Sequence, residues 1–170
     1  MNYDIHQDSI KIAVIGGSRI EGDSKVYDMA RKVGQHIAKR KAILVCGGLT
    51  GVMEAACRGA KDEGGLTIGI LPSTESSTAN QWVDIKIPTG LGYARNALVV
   101  LSADSVIAID GAEGTLSEIG YALTYAKPLV GLNTWEIKPC KALDVPAMTT
   151  ADTPREAVDM ALGLLDKNRL

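Results

Sequence analysis

The segment "DGAEGTLSEIGYAL" (110–123) connects a hydrophobic stretch, "SVIAID" (105–110), to a region with helical periodicity at 115–126. A buried strand that passes through a glycine-rich turn into a helix is the basic unit of a parallel α/β sheet. The turn allows two interpretations, because two glycines, a threonine and two glutamates are crowded into it. It is either a well-capped helix start or a site that holds a phosphate and uses a carboxylate.

The same strand–turn–helix unit recurs along the chain. We predict strands at "KIAVIGG" (11–17), "AILVCGG" (42–48), "LTIGILP" (66–72), "WVDIKIP" (82–88, exposed on one face) and "PLVGLN" (128–133), with a short edge strand near Val145. Helices are predicted at 25–40, 51–65 and 91–103, and from Thr153-Pro154 onward. Such alternation in 170 residues predicts one parallel sheet covered by helices on both sides. Apart from that edge strand, residues 134–152, with Trp135 and Cys140, show no pattern that predicts structure or function.

Three of these strands end in small residues, namely Gly16-Gly17, Gly47-Gly48 and Gly111-Ala112. The carboxyl ends of parallel strands meet at one edge of the sheet, where ligands bind, so these loops should gather there. Glycines let backbone N–H groups approach a phosphate. Two familiar phosphate motifs are excluded: Asp23-Ser24 replaces the Lys-Ser/Thr of a P-loop, and Ser18 and Glu21 replace glycines of the dinucleotide fingerprint. The sequence therefore predicts no NTPase and no NAD site.

Composition excludes several other classes of protein. The chain is 46% hydrophobic and 22% charged, its net charge is −2, and it has no basic block, so we expect no nucleic-acid partner. The polar start "MNYDIHQDSIK" predicts no signal peptide, no membrane partner and a cytoplasmic location. The cysteines and the two histidines lack metal-site spacing, so we expect no metal site built by the protein alone. Cys46 and Cys57 are predicted to be small buried residues.

The signature "GAEGTLSE" (111–118) resembles the GGxGTxxE motif of the LOG-like superfamily, which includes the Lonely Guy phosphoribohydrolases and the molybdenum cofactor carrier proteins. The stretches "IAVIGGSR" (12–19), "CGGLTGVMEAACRGAKDEGGLTIGILP" (46–72) and "GLGYARNALVVLSADSVIAIDGAEGTLSEIGYAL" (90–123) are similar to further motifs of that superfamily, in the same order. Together they span residues 11–133. The resemblance is closest to the carrier branch, since "ARN" (94–96) stands where hydrolases have Arg-Lys.

This resemblance implies a Rossmann-like, doubly wound α/β fold, with a mainly parallel sheet of about seven strands and helices on both faces. The length of the chain predicts a single domain, which we place at residues 11–170 after a flexible tail at 1–10. The resemblance also implies a homodimer or higher homo-oligomer with the site near the subunit interface, to which the apolar helix at 97–103 would contribute.

The resemblance also assigns a ligand site. The implied binding residues are Gly16, Gly17, Ser18, Arg19, Gly47, Gly48, Thr50, Arg95, Asn96, Gly111, Ala112, Glu113, Gly114, Thr115 and Glu118. In hydrolase members, the arginine and glutamate that match Arg95 and Glu118 act on an N-glycosidic bond. A carboxylate there stabilises oxocarbenium character or activates water, and an arginine clamps a phosphate.

Each of these residues has a structural alternative. Thr115 and Glu118 have the spacing of a capping box, Arg95 is a solvated arginine on a helix face, and the glycines only form tight turns. Departures from the hydrolase pattern are Asn96 for lysine, Ala112 for glycine, Asp110 for proline, and the added charge of Glu113. Ala112 is tolerated only at negative φ.

These departures favour binding over hydrolysis. The leading hypothesis is a carrier of a phosphate-bearing pterin or nucleotide, with molybdenum cofactor as cargo. The alternatives are a phosphoribohydrolase acting on a nucleoside 5′-monophosphate, with Arg95 and Glu118 catalytic, and a nucleotide sensor without catalysis.

Overall fold

The predicted order of strands and helices is present in the computed structural model, which describes residues 9–137 and 148–167. The strands are β1 (Lys11–Gly16), β2 (Ile43–Cys46), β3 (Thr67–Leu71), β4 (Ile85–Pro88), β5 (Ser105–Asp110), β6 (Leu129–Thr134) and β7 (Thr149–Ala151). The helices are α1 (Lys25–Lys39), α2 (Val52–Asp62), α3 (Asn96–Leu101), α4 (Glu113–Thr124) and α5 (Pro154–Lys167), with short 3-10 turns at Ser76–Thr78 and Gly92–Arg95.

The strands form a seven-stranded sheet in the order β4-β3-β2-β1-β5-β6-β7. Every strand pairing within the described residues is parallel. The chain runs outward from β1 through β2 to β4, then crosses back and continues through β5 to β7. The strand order thus reverses between β1 and β5, which is where ligands bind in open α/β sheets. The doubly wound, Rossmann-like prediction is confirmed.

Helices cover both faces of the sheet. The alternation of strand side chains sends Ile12 and Val14 into a core with α1, α2 and α5. Ala13 and Ile15 point into a second core with α3 and α4. Burial on both faces explains why the central strands read as continuous apolar runs rather than alternating ones.

Helices α1 and α2 approach each other at backbone distance. A Cβ atom on Gly34 would overlap the carbonyl oxygen of Ala56, and one on Gly59 would overlap that of Arg31. At the rim of this contact, Arg31 Nε donates to Asp62 Oδ2 at 2.7 Å. Two glycines therefore set the spacing of the helices, and an ion pair covers their edge.

Cys46 and Cys57 are buried, as predicted, with their Sγ atoms 3.4 Å apart. Thr153 caps α5, since its Oγ1 accepts a hydrogen bond from Glu156 N at 3.2 Å. Among the helices described, none is long and apolar enough to cross a membrane.

Three boundaries differ from the prediction. The helix predicted at 91–103 is a 3-10 turn followed by the six-residue α3, and α4 starts at Glu113 instead of residue 115. The strand predicted at 82–88 begins only at Ile85, because Asp84 and Trp82 are occupied by hydrogen bonds with Thr67. It is exposed on both faces, whereas one buried face was predicted.

A short edge strand between β6 and α5 was predicted, and β7 lies there at Thr149–Ala151. The predicted position near Val145, and the predicted tail at 1–10 apart from Ser9 and Ile10, lie outside the described residues.

Candidate functional site

A cleft of about 560 Å³ opens at the carboxyl edge of the sheet, between the loops that follow β1 and β5. Most of the predicted ligand-binding residues line it: Gly16, Gly17, Ser18, Arg19, Gly47, Arg95, Asn96, Gly111, Ala112, Glu113, Gly114, Thr115 and Glu118. The volume falls in the usual range for small-molecule sites. The sequence prediction that the glycine-ended loops gather at one edge is therefore confirmed.

Two predicted residues, Gly48 and Thr50, are not among the described residues that line this cleft. Thr50 Oγ1 instead donates to the carbonyl oxygen of Ser18 at 2.9 Å, and Val52 N donates to that of Gly17 at 2.9 Å. The start of α2 thereby holds the loop after β1. Thr50 acts here on the shape of the cleft wall, through the backbone of Ser18.

The loop after β5 is shaped by Gly111 and Ala112. Gly111 has φ +121°, and a Cβ atom on it would press on the side chain of Thr115. Ala112 has φ −111°, an ordinary extended value, so its methyl group is accommodated. The chain can therefore enter α4 with alanine in place of the second glycine of the signature.

The start of α4 presents unpaired backbone donors to the cleft. Ala112 is the N-cap and, within the described chain, no side chain caps this helix. Leu116 N makes the first backbone bond, to Ala112 O at 3.1 Å, which leaves the N–H groups of Glu113, Gly114 and Thr115 without intrahelical partners. Helix N-termini of this kind favour anions.

The capping-box interpretation of Thr115 and Glu118 is wrong. Thr115 is the third residue of α4, not its N-cap, and it is buried. Glu118 lies one turn further on, with 8% of its side chain exposed, in the wall of the cleft. The spacing of a capping box is present, but the helix starts two residues before it.

Glu118 and Arg95 face each other in the wall of the cleft. The distance from Arg95 Nη1 to Glu118 Oε1 is 3.5 Å, and each side chain is 8% exposed. Arg95 ends the 3-10 turn before α3 and is buried, so the interpretation as a solvated helix arginine is also wrong. Gly47 makes room for it, because a Cβ atom there would lie 2.5 Å from Arg95 Nη2.

The guanidinium of Arg95 is only partly satisfied. Its Nη1 donates to Asn96 Oδ1 at 2.7 Å. Its Nε is buried and has no hydrogen-bond partner among the residues that the structure describes. A buried donor without a partner is costly, and a ligand with acceptor oxygens that draws the guanidinium into the cleft would remove that cost.

Burial dominates the electrostatics of this pair. Loss of solvent raises the pKa of Glu118 to about 7, and the nearby charge of Arg95 only partly opposes that shift. Burial likewise lowers the pKa of Arg95 from its usual value, against the attraction of Glu118. Near neutral pH the Glu118 carboxyl can therefore both take up and release a proton.

Asn96 links the arginine to the loop after β5. Its Nδ2 donates to Ser117 Oγ at 3.1 Å and lies 3.5 Å from Gly114 O, while Ser117 Oγ donates to Gly114 O at 2.6 Å. Asn96 therefore holds Arg95 and the first turn of α4 together. Asparagine at this position thus has a clear structural role.

The family model described as the SLOG cluster4 family matches residues 9–158. The chain belongs to the SLOG cluster4 family. Among named relatives, a cytokinin riboside 5′-monophosphate phosphoribohydrolase of Mycobacterium tuberculosis is 31% identical over 121 residues, which are 66% of this chain and 65% of the relative.

Two solved structures resemble nearly the whole SLOG cluster4 chain. The molybdenum cofactor binding protein of Rippkaea orientalis superposes with a TM-score of 0.82 at 34% identity, covering 94% of this chain and 99% of its own. The molybdenum cofactor carrier protein of Chlamydomonas reinhardtii superposes with a TM-score of 0.80 at 34% identity, covering 93% and 99%. The predicted resemblance to the LOG-like superfamily is thereby confirmed.

The SLOG cluster4 cleft contains residues that the sequence analysis did not assign to it. Tyr93, Asp110 and Ser117 line it together with Leu49 and Met53. Asp110 had been noted only as a departure from proline. Ser117 lies inside the signature, and its i−3 bond to Gly114 is a recognisable local pattern. Tyr93, 88% exposed, gave no signal in the sequence.

Proposed function

We propose that this SLOG cluster4 protein binds and carries a small molecule with a terminal phosphate, a pterin or a nucleotide, and that molybdenum cofactor is the first candidate. The observation that carries the proposal is Arg95, a buried arginine with an unpartnered Nε in the wall of the cleft. It shares that cleft with the uncapped start of α4. Both features favour an anion with several acceptor oxygens.

The phosphate would sit between these two features. The N–H groups of Gly114 and its neighbours supply backbone donors, and Arg95 supplies a planar, permanently charged fork. Arg19 is exposed in the lining and adds positive charge. Glu113 and Asp110 add negative charge to the same lining, so one phosphate fits this balance better than a polyphosphate does.

The similarity to named proteins supports a carrier of molybdenum cofactor. The two structures named for binding or carrying that cofactor match over more than nine-tenths of this chain at 34% identity. The cofactor ends in one phosphate attached to a pterin. In this proposal the cleft residues hold the phosphate and the pterin, and the metal is part of the cargo.

Glu118 favours a second candidate function, hydrolysis of an N-glycosidic bond in a nucleoside 5′-monophosphate. A buried carboxyl with a pKa of about 7 can take up or release a proton at neutral pH. In its ionised form it would stabilise an oxocarbenium-like sugar, while Arg95 holds the phosphate. The relative named as a phosphoribohydrolase supports this candidate.

The deciding experiment is the anaerobic purification of the protein from a host that makes the cofactor. The protein is denatured, the supernatant is oxidised, and pterin fluorescence and nucleotide masses are measured. We expect stoichiometric pterin with the wild type and with Arg31→Ala, whose arginine pairs with Asp62 at the rim of α1 and α2. We expect none with Arg95→Ala. Wild-type protein that lacks pterin and releases free base from AMP would overturn the carrier and support the hydrolase.

The implied homodimer remains a proposal, and exposed apolar side chains support it. Leu98, Leu101 and Leu116, on the neighbouring helices α3 and α4, are 36%, 43% and 39% exposed. A second copy packed on this face would bury them next to the cleft. Sedimentation that shows a monomer at micromolar concentration would contradict the dimer.

A further inference from the structure

A second, shallower recess of about 310 Å³ adjoins the cleft at the ends of β5 and β6. It is lined by Asp110, Gly111, Asn133, Thr134 and Trp135. Asp110 and Gly111 also line the main cleft, so one loop borders both spaces. The recess therefore begins at the loop that leads into the start of α4.

The backbone beside the recess has a β-bulge and two residues with positive φ. Strand β6 has a bulge: Ile109 pairs with Leu132 but Asp110 pairs with Thr134, which leaves Asn133 as the extra residue. Asp110 and Asn133 both have φ +50°, an uncommon value outside glycine that Asp and Asn tolerate best. Thr134 Oγ1 donates to Asp110 O and fixes the two strand ends together. Bulges of this kind re-aim side chains next to binding sites.

The recess brings an aromatic side chain, Trp135, and a carboxylate, Asp110, into one lining. Trp135 is 39% exposed, and an exposed indole offers a ring face on which a flat heterocycle can stack. The Asp110 carboxylate points toward the loop after β1, since a Cβ atom on Gly17 would lie 3.2 Å from its Oδ2. It thus stands at the boundary between the recess and the cleft.

We propose that this recess holds the heterocyclic ring of the ligand against Trp135, with the Asp110 carboxylate accepting two N–H donors from the ring edge. The inference rests on the proposed phosphate site for the direction of the ligand. The two oxygens of a carboxylate can accept hydrogen bonds from two adjacent N–H groups. A 2-amino-4-oxopyrimidine edge, as in a pterin or a guanine, carries such a pair. An adenine edge offers one N–H group beside an acceptor nitrogen, which the carboxylate repels. Asp110 is therefore the residue that determines specificity.

The test is calorimetric titration of the full chain with GMP, AMP, guanosine, adenosine and inorganic phosphate. We expect GMP and guanosine to bind about tenfold tighter than AMP and adenosine. Asp110→Asn, which tolerates the same φ, should remove that preference. Trp135→Ala should weaken the four ring-bearing probes about tenfold and leave inorganic phosphate unchanged.

The controls are Asp28→Asn and Tyr125→Ala, which remove an exposed carboxylate on α1 and an exposed aromatic ring after α4. Both should bind every probe as the wild type does. Equal affinity for guanine and adenine probes, or Asp110→Asn and Trp135→Ala variants that bind like the controls, would overturn the recess.

The two proposals fail differently. The wild type could bind guanosine more tightly than Asp110→Asn does, while phosphate binds to neither the wild type nor Arg95→Ala. In that case the recess is supported and the phosphate site is not. If phosphate binding depends on Arg95 but the ring-bearing probes show no preference, the recess falls alone. If no probe binds, both fall.

Discussion

Two arginine–carboxylate pairs in this molecule have opposite electrostatics. Arg31 Nε lies 2.7 Å from Asp62 Oδ2 at the rim of α1 and α2, with the side chains 36% and 28% exposed. The hydrogen bond between them lowers the pKa of Asp62 and raises that of Arg31. At the cleft, Arg95 and Glu118 are 3.5 Å apart and 8% exposed, and burial shifts each pKa in the other direction.

The two pairs differ in whether protein groups and solvent satisfy their charges. Asp62 also accepts from Gln35 Nε2 at 3.2 Å, so its charge is satisfied by protein groups and solvent. In the cleft, desolvation outweighs the attraction between the partners, and the guanidinium keeps an unpartnered Nε among the described residues. A buried pair whose mutual attraction does not offset its loss of solvent is suited to a third partner, which supports a ligand at Arg95.

The largest effect is expected from Gly47→Ala. The new Cβ atom would lie 2.5 Å from Arg95 Nη2 and 2.7 Å from Met53 Sδ, so the guanidinium must shift from its present position. Loss of charged hydrogen bonds should lower phosphate affinity about tenfold to a hundredfold. Phosphate titration of the variant measures this.

The matched control for that variant is Gly120→Ala on α4, where the structure describes no heavy atom within 4 Å of the added Cβ. It should bind phosphate as the wild type does. Wild-type affinity in Gly47→Ala would show that the position of Arg95 is unimportant for binding.

Among changes in stability, the largest is expected in its dependence on pH. The folded pKa of Glu118 is raised from 4.5 to about 7, so the folded state binds the proton more tightly than the unfolded state does. The stabilisation is complete below pH 4.5 and is lost as the pH rises through 7, by about 3 kcal/mol at most. Urea unfolding across this range measures it, and Glu118→Gln should flatten the curve.

The outer pair should respond to pH in the opposite sense. Because the folded pKa of Asp62 is lowered from 3.8, its contribution is present above that value and is lost as the pH falls through the folded pKa. Asp62→Asn should therefore change only the acid side of the curve.

Equal slopes for the wild type and Glu118→Gln between pH 5 and 8 would count against the raised pKa of Glu118.

The smallest effect is expected from Arg31→Ala. Exposed ion pairs contribute at most about 1 kcal/mol, and salt screens them. Thermal unfolding of the variant should show a small decrease in stability that shrinks further at high salt. A large decrease that is insensitive to salt would mean that Arg31 acts through packing of its stem on α2.

Local sequence patterns were sufficient to predict most of the fold. The apolar runs, their periodicity and the glycines after β1, β2 and β5 predicted the sheet and the edge where the cleft lies. The start of α4 could not be predicted in this way. Thr115 and Glu118 match a capping box, whereas the true N-cap, Ala112, has no side chain that caps a helix.

The remaining misses depend on contacts between distant parts of the chain. Burial of Glu118 results from the packing of α4 against α3 and the 3-10 turn before it, which no local pattern encodes. Likewise, the bulge at Asn133 exists only in the pairing of β6 with β5, so the recess beside Trp135 had no signal in the sequence. Exposure of β4 follows from its place at the edge of the sheet.

The close contact of α1 and α2 has a consequence for how relatives of this protein should be compared. Gly34 and Gly59 each leave no space for even a methyl group, since the backbone of the facing helix occupies it. Substitutions should therefore be least tolerated at these two glycines, which lie on helices away from Arg95 and the loop after β5. Invariance there would record the packing of two helices, and a search for function by conservation alone would be drawn to the wrong surface.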